Sequence, residues 1–212
     1  MRPSLLIFDL DGTLVDSLED IATCVNRTRE RFGLPPLSKA AVTAHVGDGS
    51  AALVRAVVPV APERHGEALA ALLEYYEAHL LDTTHLMPGA EAVLHHYAPR
   101  AMAVVTNKLQ VSSERILTGL GVRTYFRLVV GGDTLPRKKP HPDPLLHVLQ
   151  VCGVPPSQAV MIGDGVNDVL AAQAAGVPVV AVTGGVHSRA ELAALGPDLL
   201  IDGLAGLPAV VD

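Results

Sequence analysis

Short, continuous runs of apolar residues recur along the chain, and most are followed by turn residues and then by a helical pattern. Runs of this kind predict strands that helices cover on both faces, as in doubly wound α/β folds. The predicted strands are Leu5–Phe8, Ala101–Val105, Leu128–Val130, Ala159–Ile162 and Val177–Val182. The predicted helices are Ala90–Tyr97, Ser112–Leu120, Pro144–Val151 and Asn167–Ala175. The pattern therefore predicts an α/β core with a parallel sheet.

A long interval between the first and second strands has a different character. Residues 16–86 show no convincing strand and are rich in Ala, Leu, Glu and Arg. Pro35-Pro36 and Pro62 divide the interval into three or four helices, and Pro88-Gly89 marks the return to the sheet. We therefore expect a small helical domain at 16–86, inserted into a core formed by 1–15 and 87–212.

Charge and hydropathy narrow the possible partners. The 212 residues carry a net charge of −6, which argues against a surface that binds nucleic acid. No apolar run approaches the roughly 18 residues of a membrane span, and the run at Leu5–Phe8 is too short for a signal peptide. We expect a cytoplasmic protein with a small-molecule partner, no nucleic acid and no membrane; monomer and homodimer both stay open.

Acidic residues follow two of the predicted strands. Asp9 and Asp11 come directly after the first, and Asp164 and Asp168 follow the strand at Ala159–Ile162. Ligands of open parallel sheets bind at the carboxyl ends of the strands. Clustered carboxylates there repel one another unless a cation or proton offsets the charge. We expect Mg²⁺, held by Asp9, Asp164 and the backbone carbonyl of Asp11.

The spacing of these acids also suggests a reaction. Asp9 could be a nucleophile that forms an aspartyl-phosphate, with Asp11 protonating the leaving alcohol and then activating water. The alternative is that Asp9 or Asp11 caps a turn or helix. Asp168 could likewise be an acid favoured by the helix dipole.

Donors for a phosphate group follow other strands. Thr106 and Asn107 come after the second strand, and Lys139 lies in the loop before His141. A hydroxyl, backbone N–H groups and an ammonium could surround phosphate oxygens, and Lys139 could balance the carboxylates. Taken alone, Thr-Asn is a common turn and Lys-Pro a common loop, so the combination carries the argument.

In this order, the motifs resemble those of the haloacid dehalogenase superfamily. The matching segments are Asp9-Leu10-Asp11-Gly12-Thr13, Thr106-Asn107, Lys139-Pro140, and Gly163-Asp164 with Asp168. Further segments are similar to the phosphoglycolate phosphatase type: Val46-Gly47-Asp48-Gly49, Thr106-Asn107-Lys108, and Lys139 to Pro144. The resemblance implies a Rossmann-like core, a helical cap that closes over the site, and Mg²⁺ dependence.

One residue departs from the family pattern, and one segment of the cap has two possible roles. Gly165 stands where many relatives carry Ser, which removes a hydroxyl that could orient Asp164. In the cap, Gly47, Asp48 and Gly49 could contact the organic part of a substrate, although Asp48 or Ser50 could instead be a helix cap.

The favoured function is hydrolysis of a small phosphomonoester, with 2-phosphoglycolate as the leading substrate. A phosphomutase similar to β-phosphoglucomutase would use the same aspartyl-phosphate. Dehalogenase chemistry is a weaker option, because halide release does not need an acid at Asp11. A non-catalytic binding protein on this fold is the alternative from another class.

Overall fold

A computed structural model describes residues 2–212 and contains a central six-stranded parallel sheet with a separate two-stranded ribbon. The strands are β1 (Leu5–Phe8), β2 (Val15–Asp16), β3 (His85–Leu86), β4 (Ala101–Val105), β5 (Leu128–Val130), β6 (Ala159–Gly163), β7 (Val179–Val182) and β8 (Leu199–Ile201). The helices are α1 (Leu18–Arg31), α2 (Lys39–Thr43), α3 (Ser50–Val57), α4 (His65–Ala78), α5 (Ala90–Tyr97), α6 (Gln110–Gly119), α7 (Asp143–Cys152), α8 (Val166–Ala175), α9 (Arg189–Ala194) and α10 (Pro208–Val211).

The central strand β1 shows why the apolar runs are continuous. Leu6 and Phe8 pack into one hydrophobic cluster, whereas Leu5 and Ile7 pack into a second. Because alternate residues of a strand point to opposite faces, both faces of β1 need apolar side chains. All four residues are fully buried. The predicted three-layer α/β architecture is confirmed.

The strand order β5-β4-β1-β6-β7-β8 places β4 and β6 on either side of β1. Leu5 is in register with Ala101 on one side and with Ala159 on the other. The chain fills one half of the sheet with β4 and β5 before it crosses to β6. The carboxyl ends of β1, β4 and β6 therefore adjoin at the point where the strand order reverses, which is where such sheets bind ligands.

Helices α1 to α4 lie between β1 and β4 in the sequence, and α1 and α3 both pack against α4. The interval also holds two short strands that the hydrophobic pattern did not predict. Val15 pairs with Leu86 and Asp16 with His85, in an antiparallel ribbon where the chain leaves and re-enters the core. Two-residue strands show no measurable periodicity, so the sequence carries no signal for them.

The edge strand β8 was also not predicted from the hydrophobic pattern, and β7 begins at Val179, two residues after the predicted start at Val177. Pro178 precedes β7 and cannot donate a ladder hydrogen bond, although its carbonyl accepts one from Met161 N. Among residues 2–212, no helix has both the length and the apolar character needed to cross a bilayer.

Candidate active site

The loop after β1 presents the first two acids. Asp9 N donates to Ile162 O at 2.9 Å, which extends the pairing with β6 by one residue and fixes the direction of the Asp9 side chain. The chain then turns at Gly12, which has φ 84°. A Cβ at Gly12 would overlap the carboxylate of Asp164. Gly12 is therefore needed both for the turn and for the close approach of a second acid.

The Asp9 carboxylate is half-buried, and its buried oxygen Oδ1 lies beside a cation. Lys139 Nζ lies 2.9 Å from Asp9 Oδ1, but this oxygen makes no hydrogen bond of regular geometry among residues 2–212. Burial raises the pKa of Asp9 to about 7, and the charge of Asp168 contributes to the rise while Lys139 opposes it. Asp9 thus lies among acids that raise its pKa and beside only one cation, an environment that suits a further cation or an electrophile.

Asp164 is oriented by groups from two other segments. Thr13 Oγ1 donates to Asp164 Oδ1 at 2.6 Å, and Val186 N donates to Oδ2 at 2.9 Å. Burial raises the pKa of Asp164 to about 6, helped by repulsion from Asp9. The hydroxyl missing at Gly165 therefore does not leave Asp164 without hydrogen-bond donors.

Asp168 belongs to the same acidic cluster. Its Oδ1 accepts from Lys139 Nζ at 2.5 Å, and its Oδ2 accepts from Gly165 N at 2.9 Å at the start of α8. One oxygen each from Asp9, Asp164 and Asp168 lie within 4.8 Å of one another. Three carboxylate oxygens at this spacing fit a hard divalent cation such as Mg²⁺. The carboxylate of Asp11 lies outside this group of three.

Lys139 is the cation at the centre of these carboxylates, and its side chain is 2% exposed. Besides Asp9 and Asp168, its Nζ donates to Val105 O at the end of β4, at 2.6 Å. Burial lowers the pKa of Lys139, but the two carboxylates outweigh this effect and raise it above its ordinary value. Lys139 therefore stays charged and offsets part of the repulsion among the acids.

Thr106 and Asn107 follow β4 and are both buried. Thr106 N donates to Val130 O at 2.9 Å, while its hydroxyl oxygen accepts from Lys108 N at 3.2 Å and still has a proton to donate. Asn107 Nδ2 donates to Lys139 O at 2.8 Å, which ties the two predicted phosphate-binding segments together.

We call the inserted helices α1 to α4 and their loops the cap; its loop 46–49, the cap loop, rests directly on these core segments. Gly47 O accepts from Asn107 Nδ2 at 2.9 Å, and Asp48 O accepts from Lys138 Nζ at 2.5 Å. Asp48 Oδ1 accepts from Asn167 Nδ2 at 2.7 Å. Each of these three core donors is the sequence neighbour of a site residue, since they adjoin Thr106, Lys139 and Asp168 respectively.

The cap loop residues have different positions. Gly47 and Gly49 line the cavity between cap and core, but Asp48 is not among its lining residues. Helix α3 begins at Ser50, and its N-cap is Gly49, which has no side chain; no side-chain hydrogen bond caps this helix. The helix-cap alternative for Asp48 and Ser50 is therefore wrong; Asp48 bonds to the core instead.

Two residues that line the cavity, Lys108 and Tyr76, were not predicted from the sequence. Lys108 Nζ lies 3.0 Å from Asp11 Oδ2 and donates to Tyr76 OH at 2.7 Å. Ser17 Oγ donates to the other oxygen of Asp11 at 2.5 Å. Lys108 directly follows Thr106-Asn107, which was an available signal. Tyr76 lies on cap helix α4, and nothing in its local sequence points to the site.

The cavity has two kinds of wall. Its floor carries the carboxylates and lysines at the strand ends, and apolar cap side chains form much of the opposite wall, including Ile21, Val46, Leu53 and Leu72. An apolar roof over a charged floor excludes water and strengthens the electrostatic interactions beneath it.

Comparison with known proteins agrees with this geometry. Residues 6–182 match the model of the haloacid dehalogenase-like hydrolase family. A phosphoglycolate phosphatase of Chromobacterium violaceum is 43% identical over 94% of this chain and 92% of its own length. Phosphoglycolate phosphatase 1 of Pseudomonas aeruginosa is 38% identical over 99% of this chain and 80% of its own.

A solved structure extends the comparison to the fold. The crystal structure of a predicted phosphoglycolate phosphatase from Haemophilus somnus superposes with a TM-score of 0.94 at 31% identity, covering 99% of this chain and 98% of that one. The chain belongs to the haloacid dehalogenase-like hydrolases, as its four motifs indicated. The predicted resemblance to the phosphoglycolate phosphatase type is confirmed, and so is the prediction of a phosphoric monoester hydrolase.

Proposed function

We propose that this protein is a Mg²⁺-dependent phosphatase that hydrolyses a small phosphomonoester, with 2-phosphoglycolate as the leading substrate, through an aspartyl-phosphate on Asp9. The observation that carries the proposal is the cluster of Asp9, Asp164 and Asp168 around the buried ammonium of Lys139. The names of the relatives from Chromobacterium and Pseudomonas motivate the choice of 2-phosphoglycolate.

The residues would first bind and orient the phosphate. The Thr106 hydroxyl and the N–H groups of the loop that begins there donate to phosphate oxygens, while Lys139 offsets their charge beside Asp9. Asp9 and Asp164 would hold Mg²⁺, with Asp168 next to them. When bound, Mg²⁺ neutralises charge on the transferring phosphoryl group and on the acids around it.

Two half-reactions follow. In the first, an Asp9 oxygen bonds to phosphorus as the ester P–O bond breaks, and the protonated Asp11 gives its proton to the leaving oxygen. In the second, Asp11 takes a proton from water, the water oxygen bonds to phosphorus, and the Asp9–phosphorus bond breaks. Inorganic phosphate leaves and both carboxylates return to their starting states. Ser17 and Lys108 keep Asp11 in place through both steps.

The test is phosphate release from a panel of small phosphomonoesters with Mg²⁺ and with EDTA. The panel includes 2-phosphoglycolate and a hexose 1-phosphate, and the enzymes are wild type, Asp9→Asn and the control Asp82→Asn at an exposed acid. We expect Mg²⁺-dependent release that Asp9→Asn abolishes and Asp82→Asn leaves intact.

Other results would change the assignment. Phosphate release by Asp9→Asn would overturn the assignment of Asp9 as the nucleophile. Phosphate release in the presence of EDTA would overturn the proposed dependence on Mg²⁺. Conversion of hexose 1-phosphate to its 6-phosphate would identify a phosphomutase, and no turnover of any ester would favour a binding protein. The cytoplasmic location and the monomeric or homodimeric state stay predictions.

A further inference from the structure

Lys108 is a buried cation that the mechanism uses only as a neighbour of Asp11. Its side chain is 7% exposed, lies at the boundary between core and cap, and lines the cavity. Its ammonium contacts Asp11 Oδ2 at 3.0 Å on the core side and Tyr76 OH at 2.7 Å on the cap side. Burying an ammonium at this boundary costs free energy, so its position calls for a structural or functional explanation.

The two lysines of the cavity differ in how fully they are engaged. An ammonium has three N–H donors. Lys139 already has three oxygen neighbours, from Asp9, Asp168 and Val105. Among residues 2–212, Lys108 Nζ has two oxygen neighbours, from Asp11 and Tyr76. Lys108 therefore retains one N–H for a ligand.

The position of Lys108 relative to the leaving group follows from the proposed chemistry. If Asp11 protonates the ester oxygen, that oxygen lies roughly 2.6–3.2 Å from an Asp11 carboxylate oxygen. If that carboxylate oxygen is Oδ2, which is 3.0 Å from Lys108 Nζ, the ammonium lies within about 6 Å of the ester oxygen. A carboxylate on the next carbon extends about 3.5 Å from the ester oxygen, so a substrate oriented toward Lys108 places its carboxylate within hydrogen-bond distance of the ammonium.

We propose that Lys108, held between Asp11 of the core and Tyr76 of the cap, binds an anionic group on the carbon side of the substrate and selects phosphomonoesters with a carboxylate one carbon from the ester oxygen. The inference rests on the proposed phosphatase function and goes beyond it by assigning a second anion subsite. Since Tyr76 OH on α4 accepts one of its hydrogen bonds, the packing of α4 against the core helps to fix the position of the Lys108 ammonium.

Of the other groups that line the cavity, His187 is the remaining candidate cation. It follows Val186, whose N–H binds Asp164 in the acidic cluster. A carboxylate at His187 would lie near the negative charge of Asp164. At Lys108 it would instead contact an ammonium whose neighbouring acid, Asp11, is protonated when the ester binds in the proposed mechanism. Charge therefore favours Lys108 for the carboxylate.

The experiment compares two esters that differ only at the proposed contact: 2-phosphoglycolate and 2-hydroxyethyl phosphate, in which CH₂OH replaces the carboxylate. We would measure kcat and KM for wild type, Lys108→Met, Lys108→Arg, Tyr76→Phe and the control Lys39→Met, which alters an exposed lysine paired with Glu19. Circular dichroism would check that each variant is folded.

We expect wild type to prefer 2-phosphoglycolate. Lys108→Met should reduce kcat/KM for 2-phosphoglycolate about 10- to 100-fold more than for the hydroxyethyl ester, the range for a hydrogen bond to a charged group. Lys108→Arg should keep much of the preference, and Tyr76→Phe should weaken it by a smaller factor. Lys39→Met should match wild type.

Equal losses on both esters in Lys108→Met would mean that Lys108 acts only through Asp11, and the proposal would fall while the phosphatase function stood. If Lys108→Met does not fold, wild type and Lys108→Arg still decide the matter: no preference for the carboxylate ester in wild type would also refute the subsite. No release from either ester by wild type would instead refute the phosphatase function, together with the inference that rests on it.

Discussion

Asp20, in the first turn of α1, binds the segment that leads from the cap back to the core. Asp20 as a whole residue is 3% exposed. It accepts hydrogen bonds from the backbone N–H groups of Thr83 and Thr84, and from both threonine hydroxyls at 2.6 and 2.7 Å. The residues lie more than 60 positions apart, so Asp20 ties the start of the cap to its end. We expect Asp20→Ala to destabilise the protein strongly.

The magnitude follows from what the substitution leaves behind. Each hydrogen bond to a charged group is worth about 1.5–3 kcal/mol, and the contributions of neighbouring bonds do not add fully. Water can reach part of the exposed Thr83, but the backbone N–H of the buried Thr84 would lose its partner. We therefore expect a loss of about 3–4 kcal/mol in the free energy of unfolding.

Urea denaturation followed by circular dichroism would measure this loss. The control is Asp82→Ala, which removes an exposed acid paired with His79 and should cost less than about 1 kcal/mol. A loss below about 1 kcal/mol for Asp20→Ala would show that the Thr83–Thr84 segment does not need the carboxylate, and would refute the reasoning.

The same interaction has a defined pH dependence. Burial alone would raise the pKa of Asp20, but the hydrogen bonds from Thr83 and Thr84 outweigh burial and lower it. An acid whose pKa is lower in the folded state stabilises the fold above its unfolded pKa of about 3.9. The difference between wild type and Asp20→Ala should therefore be constant above about pH 5 and shrink as the pH falls below about 4. A difference that grows at low pH would contradict this assignment.

Two further substitutions test the geometry of the site. A Cβ at Gly185 would overlap the Asp164 carboxylate, so Gly185→Ala should abolish the stabilisation by Mg²⁺ in a thermal-shift assay, whereas the control Gly66→Ala, which has open space around it, should preserve it. Asn167→Ala removes the donor to Asp48 and should raise KM up to about tenfold. In a double-mutant cycle with Asp48→Ala, the two substitutions should show a coupling free energy of about 0.5–1.5 kcal/mol. If their effects on KM were fully additive, the contact between Asn167 and Asp48 would play no part in closing the cap over the site.

Local residue patterns were enough to predict five of the six strands of the central sheet and the order of its functional loops. Strands such as Leu5–Phe8 are buried on both faces, so every position must be apolar, and the pattern is visible locally. Parallel strands present their carboxyl ends at one edge, so the order of strands along the chain already makes the residues directly after them candidates. Asp9 was predicted in this way, and Lys139 as a cation in the loop after β5; the structure places the two side chains 2.9 Å apart.

Contacts between groups far apart in the chain depend instead on the tertiary structure. Asp48 contacts Asn167, 119 residues away, and Tyr76 contacts Lys108, 32 residues away. The ribbon of β2 and β3 pairs residues about 70 positions apart, in strands too short to show a period. These contacts follow from how the helices between β1 and β4 pack against the sheet. That packing is the sum of many weak non-local interactions, and no local pattern of residues encodes it.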